Sequence, residues 1–286
     1  MSTLKTYFTL CRAMISLFAA ASAATGFFLA PGHRIAGVFP TACAVFLLAC
    51  GASALNQYQE QDIDARMERT RSRPLPSGNI AASHALSLSS SLILAGLVLL
   101  ATASGVQAMF LGFFALLWYN GLYTYLKKKT AFAAVPGAAV GMLPPAIGWI
   151  SAGGGLFDPR LAAICLLFFL WQVPHFWLLL LNHGEEYEQA GLPSLTRVMT
   201  RPQIARVTFI WIAAAAIASL SLPLYGILRS PGFYFLLVPC TGWLIWNGRV
   251  LLGSGPEILR SPTLFRKINI YLLLIMSLLS LEGIFS

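Results

Sequence analysis

The sequence predicts an all-α fold: a polytopic membrane bundle of nine transmembrane helices, N-terminus in and C-terminus out. Three observations predict it. Of the 286 residues, 57% are hydrophobic and only 10% are charged, with a mean hydropathy of +0.73, whereas a soluble domain carries about a quarter charged residues. The apolar residues fall in nine continuous runs, each near the roughly 20 residues that a helical span needs and none alternating as barrel strands do. The basic residues are shared unequally between alternate connections, which sets orientation.

The first run, 11–30, follows Lys5 and includes Arg12; its length fits the pattern of the others, so it reads as an uncleaved span rather than a signal peptide. Runs at 35–55, 81–103 and 107–126 follow without internal charge. The fifth, 132–152, holds Pro136, Gly137, Gly141, Pro144 and Pro145 and is not expected to be straight. The sixth, 160–182, loses a backbone hydrogen bond at Pro174 and is expected to bend there. Runs at 205–228, 232–252 and 266–284 complete the set. With the N-terminus inside, 16 of the 19 basic residues, Arg260 among them, lie on the cytoplasmic side and only Arg34, Arg160 and Arg229 lie outside. The net charge of +9 is therefore mostly topological bias, and no nucleic-acid partner is expected. The five cysteines lie in apolar runs without C-x-x-C spacing and read as small buried hydrophobes. The whole chain, 1–286, reads as one intramembrane domain with functional cytoplasmic loops at about 56–80 and 182–205.

Seven of the ten acidic residues sit in two short segments, each just after a long apolar run; only Asp158, Glu257 and Glu282 lie elsewhere. In the first, Asn56, Glu60 and Asp64 are spaced i, i+4, i+8, which on a continuous helix places three oxygen ligands within roughly 80° of arc. Oxygen ligands without His or Cys suit Mg²⁺, which takes one or two carboxylates and completes its shell with water and phosphate. Asp62 points away and is expected to pair with an arginine. Arg66, Arg69, Arg71 and Arg73 follow at once, and guanidinium groups beside a carboxylate-held metal make a receptor for diphosphate. A solvated loop whose charges pair among themselves is the bland alternative, but solubility does not require the aligned Asn-Glu-Asp face.

The second segment repeats the first: Asn182-x-x-x-Glu186 echoes Asn56-x-x-x-Glu60 at an offset of 126 residues, with Ala190 where Asp64 would stand. A weak duplication of a four-helix unit would bring the two loops face to face. In the sixth span His175, Asn182 and Glu186 lie within about 40° of one another on a helix, with His175 roughly 10 Å deeper than Asn182. An intramembrane histidine beside a proline, on the face leading to the acidic loop, points to a cavity lining. Lys127, Lys128 and Lys129 end the fourth span, where they either meet phosphate or anchor the topology.

Asn56-x-x-x-Glu60-x-Asp62-x-Asp64, followed by Arg69-Thr70 and Arg73-Pro74-Leu75-x-x-Gly78, resembles the first aspartate-rich motif of UbiA-type intramembrane prenyltransferases. Leu143-Pro144-Pro145-Ala146-Ile147-Gly148-Trp149 and Trp171-Gln172-Val173-Pro174-His175-Phe176-Trp177 narrow the resemblance to the protoheme IX farnesyltransferase (haem O synthase) family, and Glu185-Glu186-Tyr187-x-x-Ala190-Gly191-x-Pro193 completes it. Glu60 stands where that family usually has Asp, and Leu10-Cys11-Arg12 where it has Lys-Pro-Arg. The resemblance implies nine helices around a central chamber open to lipid, in a multi-pass protein of the bacterial cytoplasmic (inner) membrane. It implies farnesyl diphosphate as donor, Mg²⁺ bound with the diphosphate, and haem b as substrate rather than cofactor. In its terms Asn56, Glu60, Asp64 and Glu186 hold the metal, and Arg66, Arg69, Arg73 and Lys127 the diphosphate. Asn56, Glu60, Asp64, Glu186 and Lys127 are then the catalytic set, and His175, Trp171 and Gln172 the haem-binding set. Trp118, Tyr119, Trp149, Trp171 and Phe176 are candidate chamber walls. Transient contacts with haem-copper oxidase assembly or with haem A synthase are the implied protein partners. The competing readings are a prenyltransferase acting on an aromatic quinone precursor and a non-enzymatic transporter or haem-handling assembly factor. Acids gathered at one face argue against the transporter, which buries ionisable groups at the midplane.

Overall fold

In the computed structural model, which describes residues 3–253 and 262–285, the protein is all-helical, with no strand among the described residues. Arg260 and Glu257 lie outside the described residues. The helices are α1 (Thr3–Leu10), α2 (Ala13–Leu29), α3 (Val38–Gln59), α4 (Gln61–Asp64), α5 (Ala82–Ala103), α6 (Val106–Leu116), α7 (Thr124–Leu126), α8 (Ala134–Gly137), α9 (Ala139–Ser151), α10 (Pro159–Gln189), α11 (Arg201–Ser221), α12 (Pro231–Gly248) and α13 (Pro262–Phe285). Among the described residues, eight helical spans are long and apolar enough to cross a bilayer. A ninth is counted if α1 and α2, bent by 55° to each other, form one span.

Helix ends follow the local sequence. Asp158 caps α10 by accepting from the Arg160 amide at 2.9 Å, with Pro159 in the first turn, where its missing N–H is harmless. At the head of α11, Gln203 Oε1 accepts from the Thr200 amide at 2.8 Å, half of a capping box. Glu282, buried on α13, accepts from the amides of Arg229 at 2.8 Å and Ser230 at 3.1 Å, so it satisfies donors at the start of α12.

Two helices depart from the sequence expectation. The sixth span does not stop near 182: α10 runs on to Gln189 and carries the second acidic segment as helix. Its 31 residues make a rod of about 46 Å at 1.5 Å per residue, longer than the roughly 30 Å hydrocarbon core, so its last turns project from the membrane. The helix is continuous through Pro174, and it ends where Gly191 takes a φ of +80°. Conversely α3 does not continue through the first acidic segment. Glu60 leaves helical geometry at φ −119°, ψ 9°, and α4 is a single turn beyond it.

Packing is closest where glycine allows backbones to touch. A Cβ on Gly148 of α9 would come 1.8 Å from the Ala23 carbonyl oxygen of α2, and one on Gly26 would come 2.0 Å from that of Pro145. In lipid, where apolar surface gains little by meeting other apolar surface, such close approach is what holds helices together. The same device joins α3 to α5, where a Cβ on Gly96 would meet the Leu48 nitrogen at 2.9 Å.

Candidate active site

A cavity of about 520 Å³ opens at one end of the bundle between α2, α3, α6, α9 and α10. Its mouth is charged: Arg12, Arg69, Arg73 and Lys127 line it together with the carboxylates of Glu60 and Asp64. Four cations against two anions leave the mouth electropositive. Below it the lining is mostly apolar, with His175 and Gln172 as polar exceptions.

Asn56, Glu60 and Asp64 are brought together as the spacing predicts, although no single helix carries them. Asn56 ends α3, Glu60 sits at the break and Asp64 closes α4; all three are buried and face the cavity. The one-turn helix preserves the facing because the Asp64 amide still donates to the Glu60 carbonyl at 2.8 Å. Each carboxylate has its own cation. Arg73 Nη1 donates to both oxygens of Asp64, at 2.7 and 2.6 Å, and Lys127 Nζ pairs with Glu60. Burial pulls the Lys127 ammonium below its ordinary pKa while the Glu60 carboxylate opposes the shift. Burial likewise lowers Arg73, the like charge of Arg12 adds to this, and Asp64 opposes both.

Arg12 also lines the mouth, although it is not among the residues expected to hold the metal or the diphosphate. It lies between α1 and α2 in the left-handed region, at φ 44°, ψ 52°, the only non-glycine with positive φ among the described residues. Its guanidinium donates to Asn56 Oδ1 at 3.3 Å and to Tyr119 Oη at 3.4 Å, and among the described ion pairs it joins no carboxylate. Asn56 is turned by this contact and by another, donating from Nδ2 to Thr124 Oγ1 at 3.1 Å. The sequence held two signals: an arginine at the head of an apolar run, and its place in Leu10-Cys11-Arg12, where the resembled pattern reads Lys-Pro-Arg.

The fourth span supplies an aromatic wall. Between Leu117 and Tyr123 the helix widens into a π-helical segment, a distortion found often at functional sites. Tyr119 and Tyr123 face the cavity from it, with rings stacked 6.0 Å apart, and Phe176 continues the stack at 5.7 Å from Tyr123. Lys127 Nζ lies 5.6 Å from the Tyr123 ring centre. Of the five expected wall residues, Tyr119 and Phe176 line the cavity. Trp118 instead donates to the Pro136 carbonyl, Trp149 to that of Gly155 and Trp171 to that of Ile268, because a buried indole N–H needs an acceptor.

Deeper in, His175 Nδ1 bonds Asn269 Oδ1 at 2.8 Å, and Asn269 Nδ2 donates to the Phe265 carbonyl at 2.7 Å. The amide orientation makes Nδ1 the donor and leaves Nε2 with its lone pair. Gln172 lies against Gly141, where a Cβ would meet its Oε1 at 2.8 Å.

Three expected residues sit apart from the cavity. Arg66 is exposed and Trp171 is buried on the far side of His175. Glu186 lies outside the lining because its oxygens are engaged elsewhere: Oε2 accepts from the Arg69 amide at 3.1 Å, and Oε1 meets His183 Nδ1 at 3.1 Å. The remaining acids pair locally, Glu68 with Arg71, Glu185 with Arg201 and Glu188 with Arg197, while Asp62 is exposed rather than the arginine partner expected of it. The two acidic segments nevertheless meet. Met67 packs against Ala190 and Leu192, with Ile63 and Tyr187 around them, and the Arg69–Glu186 bond ties the segments together. Among the described residues no group of three His, Cys, Asp or Glu gathers as a metal site. Of the four expected metal ligands, those facing the cavity are the carboxylates of Glu60 and Asp64 and the amide of Asn56.

Comparison with known proteins adds three findings. The profile of the UbiA prenyltransferase family matches residues 14–267. The protoheme IX farnesyltransferase of Oleidesulfovibrio alaskensis is 36% identical over 277 residues, covering 96% of this chain and 95% of that one. The protein of the same name from Geobacter sulfurreducens is 41% identical over 219 residues, covering 77% and 81%. Among solved structures, one described as a digeranylgeranylglyceryl phosphate synthase in membranes superposes with a TM-score of 0.78 at 20% identity over the whole of both chains. A UbiA homolog from Archaeoglobus fulgidus bound to GPP and Mg²⁺ superposes with a TM-score of 0.69 at 14% identity, covering 98% of each chain. At these identities the two structures bear on the fold.

Proposed function

We propose, for a chain that belongs to the UbiA prenyltransferase family and to its protoheme IX farnesyltransferase branch, that it transfers farnesyl from farnesyl diphosphate to a vinyl group of haem b, giving haem O. The observation that carries this reading is a mouth with four cations and two buried carboxylates above a mostly apolar chamber walled by stacked aromatic rings. Such a receptor fits a diphosphate at one end and a polyprenyl chain at the other.

The donor set fits Mg²⁺: oxygen only, with two carboxylates and one amide turned to the same volume. Asn56, Glu60 and Asp64 would hold it. Bound with the diphosphate, the ion supplies Lewis-acid stabilisation of charge gathering on the leaving group. Arg73, Lys127 and Arg12 carry fixed positive charge to the same place, where it is worth most because the site is shielded from water. Glu186 acts at one remove, holding the Arg69 backbone and so the loop that brings Arg69 and Arg73 to the mouth.

The allylic C–O bond breaks with its electron pair leaving on diphosphate. The faces of Tyr119, Tyr123 and Phe176 steady the allylic cation. The terminal vinyl carbon of haem b bonds to C1 of the farnesyl group, and positive charge moves to the vinyl carbon beside the ring. Water adds there and loses a proton, leaving a hydroxyethylfarnesyl side chain. His175 Nε2, with its lone pair fixed by Asn269, is the nitrogen offered to the haem iron, and Gln172 stands beside it. Trp171 supports His175 from behind, its ring 4.9 Å away.

The chain works as one intramembrane domain of the cytoplasmic membrane, with the mouth toward the cytoplasm. Purified protein given farnesyl diphosphate, Mg²⁺ and either haem b or an aromatic acid tests the reading by product mass. A farnesylated, hydrated haem is expected; prenylation of the aromatic acid alone would assign the chain to quinone precursors. Haem retained without any prenyl product would make it a haem-handling protein.

A further inference from the structure

The chamber has a floor, and two opposed walls agree on its depth. On α3 the lining runs from Asn56 at the mouth to Val45, a descent of about 16 Å at 1.5 Å per residue. On the opposed helices it runs from Gly137 at the end of α8 to Ile147 on α9, about 15 Å. On α2 it stops at Ala19, one turn above Ala23, whose carbonyl touches the Gly148 backbone. Val45, Leu48 and Ile147 close the bottom, and all are buried.

This floor cannot sink. Immediately beneath Ile147 the α2 and α9 backbones are in contact, with no room for a Cβ on Gly148 or Gly26. Leu48 is held from behind by Gly96 and by Gly112, where a Cβ would meet Leu48 Cδ2 at 3.0 Å. Close-packed helices resist deformation, so added length is not accommodated by small shifts.

We propose that Val45, Leu48 and Ile147 are the residues that set donor chain length, stopping it at three isoprene units. The inference rests on the reading that the diphosphate sits at the Asn56–Asp64 mouth. An extended farnesyl chain spans roughly 14 Å at C–C bonds of about 1.5 Å, which matches the depth. A fourth isoprene unit would meet Ile147 and the α2–α9 contact below it. Ala49, on the α3 wall about 10 Å below Asn56, marks where a two-unit chain ends.

The test uses the full chain in detergent and two readouts. The first is thermal stabilisation by geranyl, farnesyl or geranylgeranyl diphosphate with Mg²⁺, which requires no acceptor. The second is the mass of prenylated haem when the donors compete. In the unaltered chain farnesyl diphosphate should stabilise most. Ile147→Ala should move the preference toward geranylgeranyl by about tenfold or more, and Ala49→Phe toward geranyl by a similar factor. Val45→Ala and Ile147→Val serve if Ile147→Ala shows no cooperative melting. Equal stabilisation of the unaltered chain by farnesyl and geranylgeranyl diphosphates would overturn the proposal, because the tail would then leave sideways into lipid. An order unchanged by both kinds of substitution would overturn it too. The expected order of stabilisation without alkylation of haem would sink the acceptor assignment and leave the floor standing.

Discussion

Arg12 offers a test in which stability and activity separate. Its backbone sits at φ 44°, ψ 52°, where a residue with a Cβ is disfavoured by about 1–2 kcal/mol. Glycine has no such penalty, but its greater freedom in the unfolded chain returns about 0.5–1 kcal/mol. Arg12→Ala keeps the strain and loses the guanidinium; Arg12→Gly loses both. The two hydrogen bonds forfeited are long, 3.3 and 3.4 Å, and run to neutral partners, so their net worth is at the low end of about 0.5–1.5 kcal/mol. Glycine should therefore stay within about 1 kcal/mol of the native chain and exceed alanine by roughly 0.5–1 kcal/mol, the reverse of their order inside a helix. Turnover should fall by about 10²-fold in both, since one preorganised donor to developing charge is lost. Arg12→Lys, which keeps the charge without the planar fork, should fall between. Paired melting curves and turnover with farnesyl diphosphate and haem b measure this. A glycine variant that melts below alanine would show that the turn is unstrained, and native turnover in either would remove Arg12 from the diphosphate site.

Other consequences are equally direct. Asp64→Asn leaves Arg73 buried without its counter-charge and should destabilise the fold by about 3–5 kcal/mol; Asp64→Asn with Arg73→Gln should regain much of that stability by calorimetry while turnover stays low. Lys127 is pulled below its ordinary pKa by burial, and its charge is present below the folded pKa and lost above it. Donor binding should therefore fade on the alkaline side before an exposed lysine would titrate, and Lys127→Arg should move that limb to higher pH in a binding titration. His175→Ala should leave stabilisation by farnesyl diphosphate unchanged but alter the Soret band of added haem b. A Soret band identical to that of the unaltered chain would free His175 from the iron.

The parts of this molecule that a sequence displays are those governed by neighbours close along the chain. Apart from the sixth, which runs on to Gln189, the apolar runs became helices within a few residues of their expected ends because the bilayer demands an unbroken apolar length. Asn56, Glu60 and Asp64 share a face because four-residue spacing survives the break at Glu60. What the chain concealed depends on tertiary packing. Nothing near Glu186 announces that the Arg69 amide, 117 residues away, takes its oxygen, and nothing in the tryptophan-rich sixth span says that Trp171 turns from the cavity to the Ile268 carbonyl. The contacts of Arg12 were hidden by the same cause: its partners Asn56 and Tyr119 come from two other spans.

The glycine contacts and the ion pairs answer one physical problem from opposite ends of the chamber. In lipid, helices gain little by burying apolar surface, so a cavity persists only if rigid contacts hold its walls apart. Gly26, Gly148 and Gly96 supply those contacts at the base. At the mouth, two buried carboxylates, proposed as metal ligands, are costly and must be neutralised, and Arg73 and Lys127 do so one for one. On that proposal the same cations face the phosphates once the carboxylates turn to the metal, so each cation is still met by negative charge. Arg12, set in a left-handed turn and hydrogen-bonded to Asn56 and Tyr119, and Arg69 together add the positive charge by which the mouth exceeds balance. That excess favours an anionic leaving group over the neutral hydrocarbon that follows it down the chamber, and so fixes which end of the donor enters at the charged ring.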